Sequence, residues 1–131
     1  MIGFIVNIDR FTEDNSDFRH VLYTGRNLQL VLMPLAPGED IGEEVHLTHD
    51  QFFRIKAGEG RVVNNGVTSN IESDFAVIVP AVARHNIVYT GGKPMRLCTL
   101  YAPPQHKDGF VAAARALAEA SLEKLDGVTS E

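Results

Sequence analysis

Gly42 to Gly60 reads GEEVHLTHDQFFRIKAGEG. Its front half crowds Glu43, Glu44, His46, His49, Asp50 and Gln51 together. Imidazole, carboxylate and amide oxygen are ligand types for a divalent metal. In an extended strand every second side chain faces the same side, so Glu44 and His46 share a face while His49 falls into a turn and points away. The back half, QFFRIKA, alternates: Arg54 and Lys56 belong in water, which turns Gln51, Phe53 and Ile55 inward. Taken alone, EEVH reads better as a solvated edge carrying a chance histidine, because acidic residues near turns are usually exposed. A second polar cluster, with His85 behind Pro80, is the remote partner that would make the first one a site.

Working outward, short strand-like runs alternate with turn chemistry along most of the chain, the pattern of a sandwich or barrel. FIVNI is expected to open as a strand, followed by a polar connection from Thr12 to Ser16. FRHVLYT and LQLVLMPLA form a predicted hairpin about Thr24 to Asn27, and Pro37 to Asp40 breaks the chain before the ligand-rich stretch. RVVNNGV holds Asn65-Gly66, the strongest two-residue hairpin signal in the sequence. FAVIVP is uniformly apolar, as for a strand buried on both faces, and Pro80 stops it because proline cannot donate to a ladder. HNIVYT puts His85, Ile87 and Tyr89 on one face, and MRLCTLYA is the last predicted strand. From Asp108 the sequence turns rich in Ala, Leu and Glu. A C-terminal helix is expected over about 108–126, with Phe110, Ala114, Leu117, Ser121 and Leu125 on one face, Asp108 capping its start and Gly127 its end. The reading is an all-β fold with one C-terminal helix, a single domain over 1–131 whose barrel runs from about 2 to 103.

Composition bounds the function. A chain of 131 residues buries one core. With 44% hydrophobic and 22% charged residues it has ordinary globular composition. Lys and Arg number 12 against 17 Asp and Glu, a net charge of -5 without like-charge runs, which argues against nucleic-acid or anionic-membrane surfaces. The single cysteine, Cys98, lies in an apolar strand and allows no internal disulfide, so a reducing, cytoplasmic setting is expected. The apolar run Ile2 to Ile8 is too short to span a membrane and has no basic flank before it.

The spacing of the two polar clusters resembles the cupin superfamily of small jelly-roll β-barrels. Its first motif is glycine, five residues, histidine, any residue, histidine, three or four residues, glutamate, six residues, glycine. Here Gly38 precedes five residues and then Glu44, Val45, His46, four residues, Gln51, six residues and Gly58. The second motif is glycine, five residues, proline, any residue, glycine, two residues, histidine, three residues, asparagine. Asp74, Pro80, Val82, His85 and Tyr89 keep that spacing. Identities depart at Glu44, which stands at a histidine, at Gln51, which stands at the glutamate, at Asp74 and Val82, which stand at glycines, and at Tyr89, which stands at the asparagine.

The resemblance covers roughly residues 20 to 105, and the NIDRF opening and YAPP ending resemble a subgroup of small cupins labelled mannose-6-phosphate isomerase-like. It implies a divalent metal held by Glu44, His46, Gln51 and His85. One carboxylate, two imidazoles and one neutral amide supply the same single negative charge as the family's three histidines and glutamate. The harder oxygen donors lean toward Mn or Fe(II), with Zn, Ni or Co also compatible. Tyr89 or a metal-bound water is the expected acid/base, with core packing as the equal reading of Tyr89, and Phe53, Ile55, Ile87 and Arg84 are the expected pocket lining, Arg84 either meeting an anionic ligand at the mouth or standing as a solvated rim charge. The function implied is a metal-binding cupin acting on a small oxygenated metabolite such as a sugar, hydroxy acid or keto acid. The alternative is a non-catalytic binding or sensing module. A homodimer is expected by the same resemblance, His20 is read as a core or rim histidine, and His106 as solvated.

Overall fold

The computed structural model describes residues 2–36, 38–112 and 126–131. Its first element is a helix where a strand was expected. Helix α1 (Ile8–Asp14) starts at Asn7, whose side chain accepts from the Arg10 N–H at 3.1 Å. Asp9 sits in its first turn, where a carboxylate meets the positive end of the helix dipole. Asp9 also pairs with Arg54 on the sheet beneath. The apolar residues before it form no strand. Phe4 instead stacks on Tyr23 with ring centres 5.2 Å apart.

The strands follow as β1 (Arg19–Thr24), β2 (Gln29–Leu35), β3 (Glu44–Val45), β4 (Asp50–Ala57), β5 (Glu59–Asn64), β6 (Val67–Glu72), β7 (Ala76–Val79), β8 (Arg84–Tyr89), β9 (Met95–Ala102) and β10 (Val111–Ala112). They make an antiparallel sheet in the order β10-β1-β2-β9-β4-β7 and a second in the order β3-β8-β5-β6. Inward residues of both sheets, among them Val31, Leu35, Phe53, Ile55, Val62, Ile87, Met95 and Leu97, join in one core. The alternation expected for β4 holds: Gln51, Phe53 and Ile55 are buried, whereas Phe52, Arg54 and Lys56 are only partly so.

Two expectations are corrected. FAVIVP is not buried on both faces, because β7 is the edge of its sheet and leaves Ile78 69% exposed. The predicted C-terminal helix does not begin at Asp108: Val111 and Ala112 are strand β10, paired with His20 and Arg19 of β1. Among the described residues Asp108 accepts from the Ser130 hydroxyl at 2.6 Å. The rest of that helix, 113–125, lies outside the described residues.

Turn chemistry explains the junctions. Asn65 and Gly66 both have positive φ, 47° and 80°, as the tight hairpin between β5 and β6 demands. Gly58, at φ 96°, tolerates no side chain, since a Cβ there would lie 2.7 Å from the Met95 Cα. Asp74 and Val82, the two residues standing where the family motif has glycine, also have positive φ, 73° and 68°. For aspartate this conformation is tolerable, but for a β-branched residue it is strained. The Val82 N–H donates to the His46 carbonyl at 2.7 Å, so the strained turn ties one polar cluster to the other.

Left-handed strain of ~1–3 kcal/mol at valine exceeds the ~0.5–1 kcal/mol of unfolded-state entropy that glycine adds. Val82→Gly is therefore expected to raise the melting temperature by roughly 2–6 °C. Asp74→Gly, which relieves less strain and removes an exposed carboxylate 3.7 Å from the Arg54 guanidinium, is expected to be near neutral. Calorimetry of the two variants checks the difference, and a lower melting temperature for Val82→Gly would refute the strain.

Candidate metal centre

Strand β3 runs antiparallel to β8 with Glu44 directly opposite His85. This register brings the two clusters together: ligand atoms of Glu44, His46 and His85 all lie within 4.8 Å of one another. The Glu44 Oε2 is 2.9 Å from the His46 Nε2, and the His46 and His85 rings are 5.4 Å apart, centre to centre. His85 is 1% exposed, while Glu44 is partly open to solvent. Gln51 enters from the other sheet on β4, 2% exposed, with its Oε1 3.2 Å from the His85 Nε2. Its amide N–H donates to the Thr99 hydroxyl at 2.9 Å, which fixes the side chain. The four residues expected at the metal thus converge, three from the β3–β8 side and one from β4.

Protonation sharpens what this arrangement favours. Burial pushes His85 below the ordinary imidazole range, opposed by its hydrogen bond to the Ala83 carbonyl and by the Glu44 charge. A neutral ring carries one proton. Placed on Nδ1, it is donated to the Ala83 carbonyl at 3.2 Å, and the bare Nε2 then faces the Gln51 carbonyl oxygen. Two acceptors facing each other in a dry interior repel. A cation between them removes the repulsion, and so does a half-turn of the amide. The donor set fits a divalent ion: one carboxylate, two imidazoles and an amide oxygen, with His85 oriented by a backbone carbonyl and Gln51 by a hydroxyl.

The remaining candidates separate. His49 is turned aside, its Nε2 3.1 Å from the Pro104 carbonyl and its Nδ1 3.0 Å from the Thr48 hydroxyl. Phe53 packs its ring edge-on to His85 at 6.1 Å, and Ile55 and Ile87 lie fully buried in the core. Arg84 does not face the site. It neighbours His85 on β8, so the alternation points it outward, where it pairs with Glu43 at 2.8 Å. Tyr89 does face inward, but four residues along β8 from His85, about 13 Å at the strand rise. Its hydroxyl lies against Gly91 at the far end of the fold, so the structure does not bring it to the cluster.

His20 is half-buried with its Nδ1 3.9 Å from Asp17, a rim position as expected. His106 is not solvated. It is 6% exposed, with its ring 5.0 Å from that of Tyr101, which meets His46 edge-on at 5.7 Å. Gln29, wholly buried, holds that segment: its amide N–H groups donate to the Thr24 hydroxyl and the His106 carbonyl, and its Oε1 accepts from the backbone N–H of Gln105 and His106. Sequence reading passed over Thr99 and Tyr101. The signal for both was the alternation of MRLCTLYA, which puts them on the face of Met95 and Leu97.

A buried imidazole with a lowered pKa makes the folded state resist protonation more than the unfolded one. Between the ordinary histidine range and the lowered value the unfolded chain binds more protons, so stability falls as pH falls through that window. Chelator-treated protein is expected to lose melting temperature on going from pH 7 to pH 5. His85→Asn, which carries no titratable group, should lose less over the same interval. Equal acid slopes for wild type and variant would place the titration elsewhere.

Comparison with known proteins follows the same lines. The Cupin domain family matches residues 31–101, which contain all four convergent side chains. The uncharacterised protein YrkC of Bacillus subtilis (strain 168) is 43% identical over 125 residues, covering 90% of this chain and 67% of that protein. The uncharacterised protein L612 of Acanthamoeba polyphaga mimivirus is 31% identical over 116 residues, 86% of this chain and 72% of that one. The crystal structure of BH2720 from Bacillus halodurans superposes with a TM-score of 0.89 at 40% identity, covering 90% of this chain and 94% of that one. KdgF from Halomonas sp., at 18% identity and a TM-score of 0.66, shares the fold. Two antiparallel sheets around one core, the motif spacing and these matches agree: the chain belongs to the cupin family.

Proposed function

We propose that this cupin holds a divalent metal through Glu44, His46, His85 and the Gln51 carbonyl oxygen, and uses it to act on a small oxygenated metabolite of the sugar, hydroxy acid or keto acid class. The observation that carries the reading is the convergence of three ligand atoms within 4.8 Å, with a buried amide oxygen 3.2 Å from one of them. A bound ion supplies Lewis-acid polarisation of a carbonyl, carboxylate or hydroxyl oxygen. The chain supplies the rest. Glu44 contributes the one negative charge, which leaves net positive charge to attract an anionic or oxygen-rich ligand. The Ala83 carbonyl and Thr99 hydroxyl orient the two buried ligands. Phe53 and Tyr101 flank them with rings that exclude water. Oxygen-rich ligation favours Mn or Fe(II).

A second reading, a module that binds or senses such a ligand without turnover, is favoured by one observation. Tyr89 lies at the far end, and His49, with its ring 6.0 Å from that of His46, is held by the Thr48 hydroxyl and the Pro104 carbonyl, turned away from the cluster. The homodimer expected from the family resemblance goes with either reading.

Metal analysis tests the common part. Protein purified without chelator, or stripped and reconstituted with Mn, Fe(II), Zn, Ni or Co, is expected to retain about one equivalent. Glu44→Ala and His85→Ala should retain far less under the same wash. A wild type that stays metal-free after reconstitution with every one of these ions defeats the proposal. A thermal-shift screen of sugar phosphates, hydroxy acids and keto acids with Mn or Fe(II) then separates the readings: stabilisation with product formation selects the enzyme, and stabilisation without it selects the sensor.

A further inference from the structure

The two buried members of the cluster are each held from a second side, His85 by the Ala83 carbonyl and Gln51 by the Thr99 hydroxyl. A metal-ligating imidazole ordinarily has such a partner on its other nitrogen, and the partner fixes the plane of the ring. His46 is different. Among the described residues its ring makes one hydrogen bond, between Nε2 and Glu44, and no acceptor meets its second nitrogen. What meets the ring is another ring: that of Tyr101 stands at 87° to it, with centres 5.7 Å apart.

Tyr101 is itself placed by two independent constraints. On β9 it lies directly opposite Gln29 of β2 and Gln51 of β4, so three inward side chains form one row across the sheet. They are 0%, 3% and 2% exposed in the order Gln29, Tyr101, Gln51, and the row ends on a member of the metal cluster. The second constraint is the buried ring of His106, 5.0 Å from that of Tyr101 and at 82° to it. Gln29 holds that histidine by its backbone: the amide N–H donates to the His106 carbonyl at 2.8 Å, and Oε1 accepts from the His106 N–H at 2.8 Å. Gln29 therefore fixes both a neighbour of Tyr101 in the row and the segment whose ring packs on it. Perpendicular ring pairs have a preferred geometry, so a ring fixed on two sides orients a third that it meets.

We infer that Tyr101 is the positioning residue of His46, and that Gln29 and His106 act through it. Its ring sets the plane of the imidazole and keeps Nε2 turned to Glu44, the task that a hydrogen bond performs for His85. The property required is the ring and not the hydroxyl. The effect on metal affinity rests on the metal reading above, whereas the orientation of the His46 ring can be measured without a metal.

The test has two arms on the full chain. In the first, stripped protein is titrated with whichever of Mn, Fe(II), Zn, Ni and Co the wild type takes up best. Tyr101→Leu is expected to weaken binding by roughly tenfold or more. Tyr101→Phe, which keeps the ring, should bind as the wild type does. Leu35→Ala, in the core opposite Met95, should lose stability but not affinity, which separates positioning from general loosening. In the second arm, NMR of the stripped, isotope-labelled chain is expected to show cross-relaxation between the ring protons of His46 and Tyr101. The His46 ring signals should move in Tyr101→Leu while those of His20 stay. The wild-type cross-relaxation decides the matter even if Tyr101→Leu does not fold. Unchanged affinity in Tyr101→Leu, an equal loss in Tyr101→Phe or Leu35→Ala, unmoved His46 signals, or no cross-relaxation would each overturn the inference. A wild type that takes up none of the ions defeats the metal reading alone, since the second arm uses no metal.

Discussion

The short pairing of β3 with β8 is the contact on which the candidate centre depends. Strand β3 contributes only Glu44 and Val45, yet its register sets Glu44 opposite His85. A slip of one residue would turn the carboxylate to the far face and end the convergence, because side chains alternate with period two. So short a ladder cannot hold its own register. The Val82 N–H, donated to the His46 carbonyl, adds one fastening, and the Asp40 to Val88 bridge adds another upstream. The chain then crosses from one sheet to the other through Leu47 to His49 and enters β4 at Asp50, whose carboxylate accepts from the Ala81 N–H at 2.8 Å. The Val82 and Ala81 bonds join the first polar cluster to the turn that precedes His85, and the Asp40 bridge ties the approach to β3 onto β8 itself. The cluster is therefore built by turns, on a frame supplied by longer strands.

Much of this was legible because period-two alternation is a strong signal wherever one face of a strand is buried. Gln51, Phe53 and Ile55 on β4, and His85, Ile87 and Tyr89 on β8, face inward as their neighbours' charges and apolarity require. The same rule, applied strictly, would have sent Arg84 outward, since it is adjacent to an inward His85. Proximity in sequence was mistaken for proximity in the pocket. Tyr89 shows the converse limit. Parity gives a residue's face but not its depth, and four residues along a strand carry a side chain to the other end of a small barrel.

Elsewhere local composition misled for identifiable reasons. FIVNI has strand propensity, but Asn7 and Asp9 make a better helix start, and a seven-residue helix follows instead. FAVIVP looked buried because it is apolar, yet the sheet ends at β7 and Ile78 faces solvent. His106 looked solvated amid polar residues. The buried amide of Gln29, 77 residues away in sequence, makes bonds to its backbone N–H and carbonyl. No local window contains that information. The substitution of valine and aspartate for the family's glycines was visible, whereas the retention of glycine-like backbone at both was not. The turn geometry persists because the hydrogen bonds it makes, Val82 to His46 and Asp74 to Ile55, require it.

The two ends of β8 follow opposite rules for polar burial. At the His85 end the buried side chains of the cluster have neighbours: Ala83 for Nδ1, Gln51 for Nε2, Thr99 for the amide. The tension there is one acceptor too many, the condition that a cation relieves. At the Tyr89 end the tension is a donor without an acceptor among the described residues. Interiors remove such tensions unless something outside the chain resolves them, because each costs stability. One strand thus carries two polar imbalances of opposite sign, separated by the fully apolar Ile87. That apolar layer keeps the two sterically apart, so neither end can satisfy the other.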